Sequence, residues 1–139
     1  MKPVLFLSLF SITACTSEEG VKVYNNAPEA TITSHATGSD LLEGVEYTFI
    51  GQVGDGNHGM SELSVLWSTD VRDLCPDLIP DASGSTSCVA TLETNDTQIK
   101  LQVTDPEGSA ALASIDVKVL ETAAPTIELI SPIVGGSYY

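Results

Sequence analysis

Residues 98–119 read QIKLQVTDPEGSAALASIDVKV, which is two runs of alternating apolar and polar residues on either side of a short turn sequence. Apolar residues occupy alternate positions from Ile99 to Val103 before the turn and from Ala111 to Val119 after it. Because successive side chains of a strand point to opposite faces, each run predicts a strand with one buried face. Asp105-Pro106-Glu107-Gly108 between them is typical of a turn. The segment therefore predicts an antiparallel β-hairpin.

The same alternation recurs upstream and predicts further short strands. Gly51 falls on the inward face of one of them, where it predicts a bulge or a close backbone approach. Residues 54–59 predict a loop, residues 37–40 a polar break, and residues 70–87 a less regular excursion. The residues expected to face inward are Ala30, Ile32, Ser34, Val45, Tyr47, Phe49, Val53, Leu63, Val65 and Trp67. A further strand is expected to resume at Cys88, Ala90 and Leu92.

The fold class follows from the length and spacing of these runs. No segment of helical length carries apolar residues at three-and-four spacing, so the chain is expected to be all-β. Six to seven short strands separated by turns, with the single tryptophan, Trp67, placed to fill the space between two sheets, are typical of an antiparallel immunoglobulin-like sandwich. We assign about seven strands to residues 27–121.

The N-terminal leader ends in Ile12-Thr13-Ala14-Cys15 and resembles the lipobox of bacterial lipoproteins. Lys2 precedes an apolar run from Val4 to Phe10, as in a secretory signal. The run is too short and too interrupted for a transmembrane anchor, but an ordinary signal peptide with a coincidental cysteine stays open. The resemblance implies that residues 1–14 are removed and that Cys15 carries diacylglycerol and an acyl group such as palmitate. Residues 15–26 would then form a lipidated tether.

The resemblance also implies a location and a cysteine pairing. A lipidated chain is held in the cell envelope through its N-terminal lipid, and Thr16 after the cysteine, rather than Asp, favours the outer over the inner membrane. If Cys15 carries lipid, Cys75 and Cys88 form an even set in an oxidising compartment, and we predict a disulfide between them. The alternative is a pair of buried thiols. The bridge would close a loop of about 14 residues, for which chain entropy predicts roughly 3 kcal/mol.

The strongly acidic composition limits the possible partners. The chain has 5 basic and 19 acidic residues, and removal of Lys2 with the leader leaves 4 − 19 = −15 on the side chains. Nucleic acid and anionic membrane surfaces would be repelled. Solubility explains such a charge without a ligand, and divalent cations are the partner class that it would favour.

Several short motifs resemble bacterial surface repeats of the PKD, Ig-like and cadherin-like kind. They are Ala27-Pro28, Glu43-Gly44, Trp67-Ser68, and Val103-Thr104-Asp105 with Gly108. Trp67-Ser68-Thr69-Asp70 lacks the Trp-Asp-Phe-Gly-Asp-Gly run of PKD domains, so the resemblance implies the shared shape and not membership of one family. An offset of 124 − 27 = 97 residues aligns Ala27-Pro28 with Ala124-Pro125. We therefore interpret residues 122–139 as a linker and the first strand of an incomplete second repeat.

The sequence contains no complete catalytic motif, and its acidic residues offer one candidate metal site. His35 and His58 lie in predicted loops outside any triad motif and are expected to be solvated. Asp55-Gly56-Asn57 begins like an EF-hand loop, but Leu66 stands where the bidentate glutamate belongs, so an EF-hand is excluded. In the resembled families, acidic residues at the ends of the sandwich bind calcium, which makes Asp55, Asp105 and Glu107 the candidate ligands. The alternative is a solvated acidic turn.

The sequence thus predicts a lipid-anchored, non-enzymatic envelope module with a structural, adhesive or protein-binding role. Its partner would be an envelope protein or a glycan and not a nucleic acid. No catalytic cofactor is expected. The competing hypothesis is an N-terminal stalk or carbohydrate-binding accessory domain of a longer secreted or surface enzyme.

Overall fold

The computed structural model describes residues 24–123 and 125–128 of the chain. The leader, Cys15 and most of the proposed second repeat lie outside the described residues. One 3₁₀ turn, Met60–Glu62, occurs within the described part. The strands are β1 Glu29–Ile32, β2 Ser39–Leu42, β3 Glu46–Gly54, β4 Ser64–Thr69, β5 Asp73–Leu78, β6 Ser85–Thr91, β7 Gln98–Thr104 and β8 Ala110–Leu120.

The strands form two sheets. One contains three strands in the order β1-β3-β6, and the other contains five in the order β2-β8-β7-β4-β5. The pairs are antiparallel except for β2 with β8, which is parallel. The hairpin expected from residues 98–119 is confirmed, with Leu101 opposite Ala113 in its ladder. The predicted all-β sandwich is therefore correct, although it has eight strands rather than about seven.

The core lies between the two sheets and is organised around Trp67. This side chain and that of Phe49 are fully buried, with ring centroids 6.3 Å apart. The indole Nε1–H donates a 3.3 Å hydrogen bond to Thr86 Oγ1, so the one polar atom of the ring is satisfied in the core. The other buried apolar residues are Leu41, Val53, Leu63, Val65, Cys88, Leu92, Ile99, Leu101, Val103, Val117 and Val119.

Gly51 marks a close approach between the sheets, as its inward position predicts. A methyl group at this residue would overlap the Leu101 side chain and lie 2.9 Å from the Thr31 carbonyl oxygen. It would also lie 3.1 Å from Cζ2 of Trp67. The missing side chain is therefore what lets the large core residues of the opposite sheet pack against β3.

The predicted Cys75–Cys88 disulfide is present and links the two sheets at one edge. Cys75 lies in β5 of the five-stranded sheet and Cys88 in β6 of the three-stranded sheet, with Cα atoms 5.9 Å apart. It closes a loop that covers most of the segment that the sequence predicted to be irregular, residues 70–87. The bridge therefore holds β5, an outer strand, to the facing sheet.

Three local predictions are wrong. Residues 39 and 40, interpreted as part of a break, begin β2, and β5 lies inside the excursion predicted over residues 70–87. Val45 precedes β3 and is 39% exposed, because the chain is still turning at Gly44, whose φ is +71°. The alternation was therefore assigned one residue too early at the start of β3.

The strand order brings three distant segments to one end of the sandwich. β3 finishes and β4 begins there, and the β7–β8 turn lies alongside because Ser64 pairs with Thr104. The N-terminal segment arrives at the same end because Glu29 pairs with Gly54. We call residues 24–28, 55–63 and 105–109 together the loop end, and residues 43–45, 70–72 and 93–97 the far end. Within the described residues, no helix is long and apolar enough to cross a bilayer.

Candidate functional site

The β3–β4 loop is shaped by Asp55. Its Oδ1 accepts hydrogen bonds from the backbone N–H groups of Asn57 at 2.6 Å and His58 at 2.9 Å. An aspartate that bonds to the backbone two and three residues ahead closes a tight turn, because its carboxylate replaces a backbone acceptor. This turn directs the His58 side chain back over the end of the sandwich. The Asp55 side chain itself is fully buried.

The β7–β8 turn is built in the same way around Asp105. The Asp105 Oδ1 accepts a 2.8 Å hydrogen bond from Ser109 N–H, and the backbone N–H of Asp105 donates to Ser109 O at 2.9 Å. Gly108 completes the turn with a φ of +89°, a conformation that suits glycine. Asp105 is only 5% exposed, so it is a buried carboxylate inside a surface turn.

The N-terminal segment is tied to both loops by asparagine side chains. The Nδ2 group of Asn25 donates to Asp105 Oδ2 at 2.6 Å and to Ser109 Oγ at 3.0 Å. The backbone N–H of Asn26 donates to Asn57 Oδ1 at 2.8 Å. The chain entering the sandwich is thus fixed to the loop end before β1 begins.

The three segments place Asp55, His58 and Asp105 together. One potential ligand atom from each lies within 4.8 Å of those of the other two. The His58 Nδ1 is 3.3 Å from Asp55 Oδ1, and its Nε2 is 2.6 Å from Glu107 Oε2. His58 is 12% exposed and Glu107 56% exposed. A depression lined by Asn25, Asn57, His58 and Glu107 opens beside this cluster.

Hydrogen bonding keeps Asp105 ionised despite its position. Burial alone would raise the pKa of Asp105, because a low-dielectric setting disfavours the charged form. The hydrogen bonds from Asn25 and from the Ser109 N–H, together with the nearby charge of His58, outweigh burial and lower the pKa of this carboxyl below its ordinary value. The cluster therefore presents a carboxylate at neutral pH.

The sequence located part of this site. Asp55 and Asp105 come together as expected, and Glu107 lies beside them through its contact with His58. The interpretation of both histidines as solvated is wrong: His58 is held between carboxylates, and His35 packs against Phe49 with ring centroids 5.1 Å apart. Asn25 was also missed, because it lies 80 residues from its partner Asp105. The calcium assignment stays a prediction.

The far end carries a second polar cluster with a different character. Arg72 forms ion pairs with Glu93 at 3.0 Å and with Asp96 at 2.9 Å. Asp70 accepts hydrogen bonds from the side chain and backbone of Thr97, at 2.7 and 2.9 Å. These bonds, the Thr97 hydroxyl first, lower the pKa of Asp70 from 3.8 to about 2. Each carboxylate here has a donor on at least one oxygen, and the buried Oδ1 of Asp96 has no hydrogen-bond partner among the described residues.

Comparison with solved structures identifies the fold. The chain is similar to the fibronectin(III)-like modules of CbhA from Clostridium thermocellum, with a TM-score of 0.53 and 13% sequence identity over 77% of this chain and 55% of that one. The chain thus spans about half the length of that structure. The fold is immunoglobulin-like. A mutant complex of titin M10 with an obscurin-like 1 Ig domain is also similar, at TM-score 0.48 and 15% identity over 73% of this chain and 100% of that one.

No protein-family model matches the sequence. No curated protein matches it either. At these identities the structural similarity concerns the fold alone. In the nomenclature of immunoglobulin folds, the β3–β4 and β7–β8 connections correspond to the B–C and F–G loops, which in antibody variable domains belong to the antigen-binding end. The disulfide differs from the antibody bridge between strands B and F, because here it joins β5 to β6.

Proposed function

We propose that the chain is a lipid-anchored, non-enzymatic module displayed at the cell envelope, with a structural, adhesive or protein-binding role. The observation that carries the proposal is the leader ending in Ile12-Thr13-Ala14-Cys15, which is followed after a short acidic segment by an immunoglobulin-like sandwich. Domains of this fold act by presenting loops and strand faces from a rigid scaffold. The anchor supplies the location, and the sandwich supplies the surface.

The attachment of the N-terminal segment gives this module an orientation. Tyr24 lies nine positions after Cys15 (24 − 15), a length of chain that spans at most about 32 Å when extended. Asn25 and Asn26 are bonded to the loop end, so a lipid on Cys15 would keep that end close to the membrane. The far end would then face outward. The surface offered to a partner is therefore the far end together with the exposed sheet faces.

The chemistry of that surface favours a protein partner over a glycan. Sugars are commonly held by stacking on exposed aromatic rings, but Phe49 and Trp67 are fully buried in the core. Among the described residues, Tyr24 is an exposed aromatic, and it lies at the loop end. The net side-chain charge of 4 − 19 = −15 on the chain from Cys15 onward favours a neutral or basic protein surface as the partner.

One serine–histidine contact lies in the β1–β2 connection. Ser34 Oγ lies 2.8 Å from His35 Nδ1, the pairing that an activated serine would need. However, the same oxygen accepts the Ile50 N–H, and the contacts of the described residues include no carboxylate that orients the His35 ring. The Ser34 hydroxyl instead holds the β1–β2 connection against β3 through its hydrogen bond from the Ile50 N–H.

The anchor is tested by lipid labelling of the full chain in a bacterial host. Cells are grown with an alkyne-tagged fatty acid, and the wild-type chain is compared with Cys15→Ala and with the matched double variant Cys75→Ser/Cys88→Ser. We expect label and detergent-dependent release from membranes for the wild type and the double variant, and loss of the label for Cys15→Ala. Equal labelling of Cys15→Ala, or an unlabelled wild type, would overturn the anchor.

Surface display is a separate outcome and needs its own measurement. Antibodies raised against the sandwich are applied to intact cells and to cells with permeabilised outer membranes. We expect binding to intact cells, because the far end faces outward in the proposed orientation. Binding only after permeabilisation would place the module inside the envelope and contradict display.

A further inference from the structure

The cluster at the loop end contains two buried polar atoms that have no hydrogen-bond partner among the described residues. The Asp55 side chain is fully buried, and its Oδ2 has no hydrogen-bond partner among the described residues. The His58 Nδ1 is likewise buried, and it makes no hydrogen bond despite lying 3.3 Å from Asp55 Oδ1. Burying a polar atom without a partner is costly, and buried charges are normally paired or coordinate a metal. One potential ligand atom of each of these two residues lies within 4.8 Å of a carboxylate oxygen of Asp105.

Each of the three side chains is also fixed from behind. The Asp55 Oδ1 is held by the N–H groups of the following turn, which leaves Oδ2 free. Asp105 is held by Asn25 and by the Ser109 N–H. His58 Nε2 is 2.6 Å from Glu107 Oε2, while its Nδ1 lies 3.3 Å from Asp55 Oδ1. Metal-binding histidines typically donate their second ring N–H to a carboxylate, which sets the tautomer and the ring orientation.

We propose that Asp55, His58 and Asp105 form a binding site for a divalent transition metal, with Zn²⁺ as the best fit among the common ions. Zn²⁺ is bound by histidine nitrogen and aspartate oxygen at about 2.0–2.2 Å. Two such ligands lie at most roughly 4 Å apart, so a spread of 4.8 Å requires only a small inward movement. Glu107 is the positioning residue for His58.

The donor set distinguishes this site from a calcium site. Calcium takes six to eight oxygen ligands, whereas an imidazole nitrogen suits zinc, copper, iron and nickel. The His58 ring lies between Asp55, 3.3 Å from its Nδ1, and Glu107, 2.6 Å from its Nε2, so a nitrogen ligand interrupts the set of carboxylates that calcium would need. The cluster therefore matches a three-ligand nitrogen and oxygen site, completed by water through the adjoining depression.

A metal here would join segments that are far apart in sequence. Asp55 and Asp105 belong to the two loops, and Asn25 links Asp105 to the chain entering from the N-terminus. Binding to the folded state alone raises the stability of that state by mass action. The site would therefore stiffen the loop end. This inference does not depend on lipidation of Cys15, so it can fail or succeed separately from the proposed function.

Calorimetric titration with the metals alone tests the proposal. The full chain is purified in detergent without a histidine tag, treated with chelator, and titrated with ZnCl₂, CaCl₂ and MgCl₂. We expect one Zn²⁺ per chain, a rise in melting temperature with Zn²⁺, and at least tenfold weaker binding of Ca²⁺ and Mg²⁺. Absence of Zn²⁺ binding, or Ca²⁺ binding as tight as Zn²⁺ binding, would show an ion-pair network or an oxygen-ligand site instead.

Matched variants assign the ligands. His58→Gln is expected to weaken Zn²⁺ binding by more than about 100-fold, beyond the effect of losing an orienting partner. His35→Gln removes the other histidine and is expected to leave the affinity unchanged. Equal Zn²⁺ affinities of His58→Gln and the wild type would overturn the assignment. Melting temperatures in chelator, measured for every variant, separate lost binding from lost folding.

Glu107 needs a readout that a merely structural residue would not change. Glu107→Ala is expected to weaken Zn²⁺ binding by about 10–100-fold, and Glu107→Gln, which keeps an oxygen acceptor for Nε2–H, to restore much of it. Ligation by the His58 ring has its own spectroscopic test. In the Cu²⁺-loaded chain, electron paramagnetic resonance should show coupling to an imidazole nitrogen that is retained in His35→Gln and lost in His58→Gln. Coupling retained in His58→Gln would contradict ligation by this ring.

Discussion

At the scale of single residues, Gly51 illustrates how one small residue sets the distance between the sheets. Replacing Gly51 with alanine would force a methyl group into Leu101 and towards the fixed Thr31 carbonyl. Overpacking of this kind costs about 1–3 kcal/mol, because the core cannot relax without moving backbone. We therefore expect Gly51→Ala to lower the free energy of unfolding by that amount, measured by urea denaturation with Trp67 fluorescence.

Gly54 provides the matched control for this prediction. It lies in the same strand, and a methyl group there would meet no atom within 4 Å. Gly54→Ala is expected to change the free energy of unfolding by less than about 0.5 kcal/mol, as for a surface substitution. Equal stabilities of the two variants would contradict the close approach at Gly51.

Asp70 gives a residue-level prediction about pH. Its pKa in the folded chain is lowered to about 2, so its contribution to stability is fully present above the ordinary value of 3.8 and is lost as the pH falls from about 4 towards 2. Thr97→Val removes the largest cause, the hydroxyl hydrogen bond, and should raise the pKa of Asp70 towards 3.8. Carbon NMR titration of the carboxyl group measures this shift. Thr94→Val, at an exposed neighbour, should leave it unchanged, and identical titration of all three chains would refute the assigned cause.

Some residues of the candidate site could be predicted from the sequence, and others could not. Asp55 and Asp105 were predictable because each sits in a turn at the end of an alternating run, so a sandwich places them at one end. His58 and Asn25 were not, because no local pattern indicates that a loop histidine turns inward or that an asparagine bonds across 80 residues. Their positions depend on how the three segments meet in space.

At the scale of elements, the disulfide determines how β5 is held. β5 is an outer strand of its sheet, contains Pro76, and pairs irregularly with β4. Loss of a cross-link that closes a loop of this length should cost about 3 kcal/mol. We expect the double variant Cys75→Ser/Cys88→Ser to lose that much unfolding free energy, measured by urea denaturation.

Reductant supplies the control for the disulfide prediction. Reduced wild-type protein should lose the same stability as the double variant, and the double variant should not respond to reductant. A double variant as stable as the oxidised wild type would show that the bridge adds nothing to the fold.

The elements that sequence reasoning missed are those that lack a clean period of two. β2 is four residues long and buries only Leu41. Such a strand is too short to show an alternating pattern. β5 has no buried residue at all, and Asp77 within it has a φ of +54°. By contrast, β3, β4, β7 and β8 were predictable because one face of each packs on the core. Outer strands are defined by the neighbours to which they bond, and a single-sequence pattern does not contain that information.

At the scale of the whole molecule, the sandwich has two unlike ends. The loop end contains the N-terminal segment and the cluster around His58, and the far end contains the paired charges around Arg72. If Cys15 carries lipid, the loop end lies near the membrane and the far end is presented to partners. The proposed metal site then stiffens the end that is attached, leaving the far end to meet envelope proteins.

The intact mass of the chain extracted from bacterial membranes tests the lipid-anchored sandwich most directly. We predict a mature chain that begins at Cys15, carries a diacylglyceryl group and one further acyl group, and is two hydrogens lighter through the Cys75–Cys88 bridge. A chain that begins at another residue, or that begins at Cys15 without added lipid mass, would contradict it.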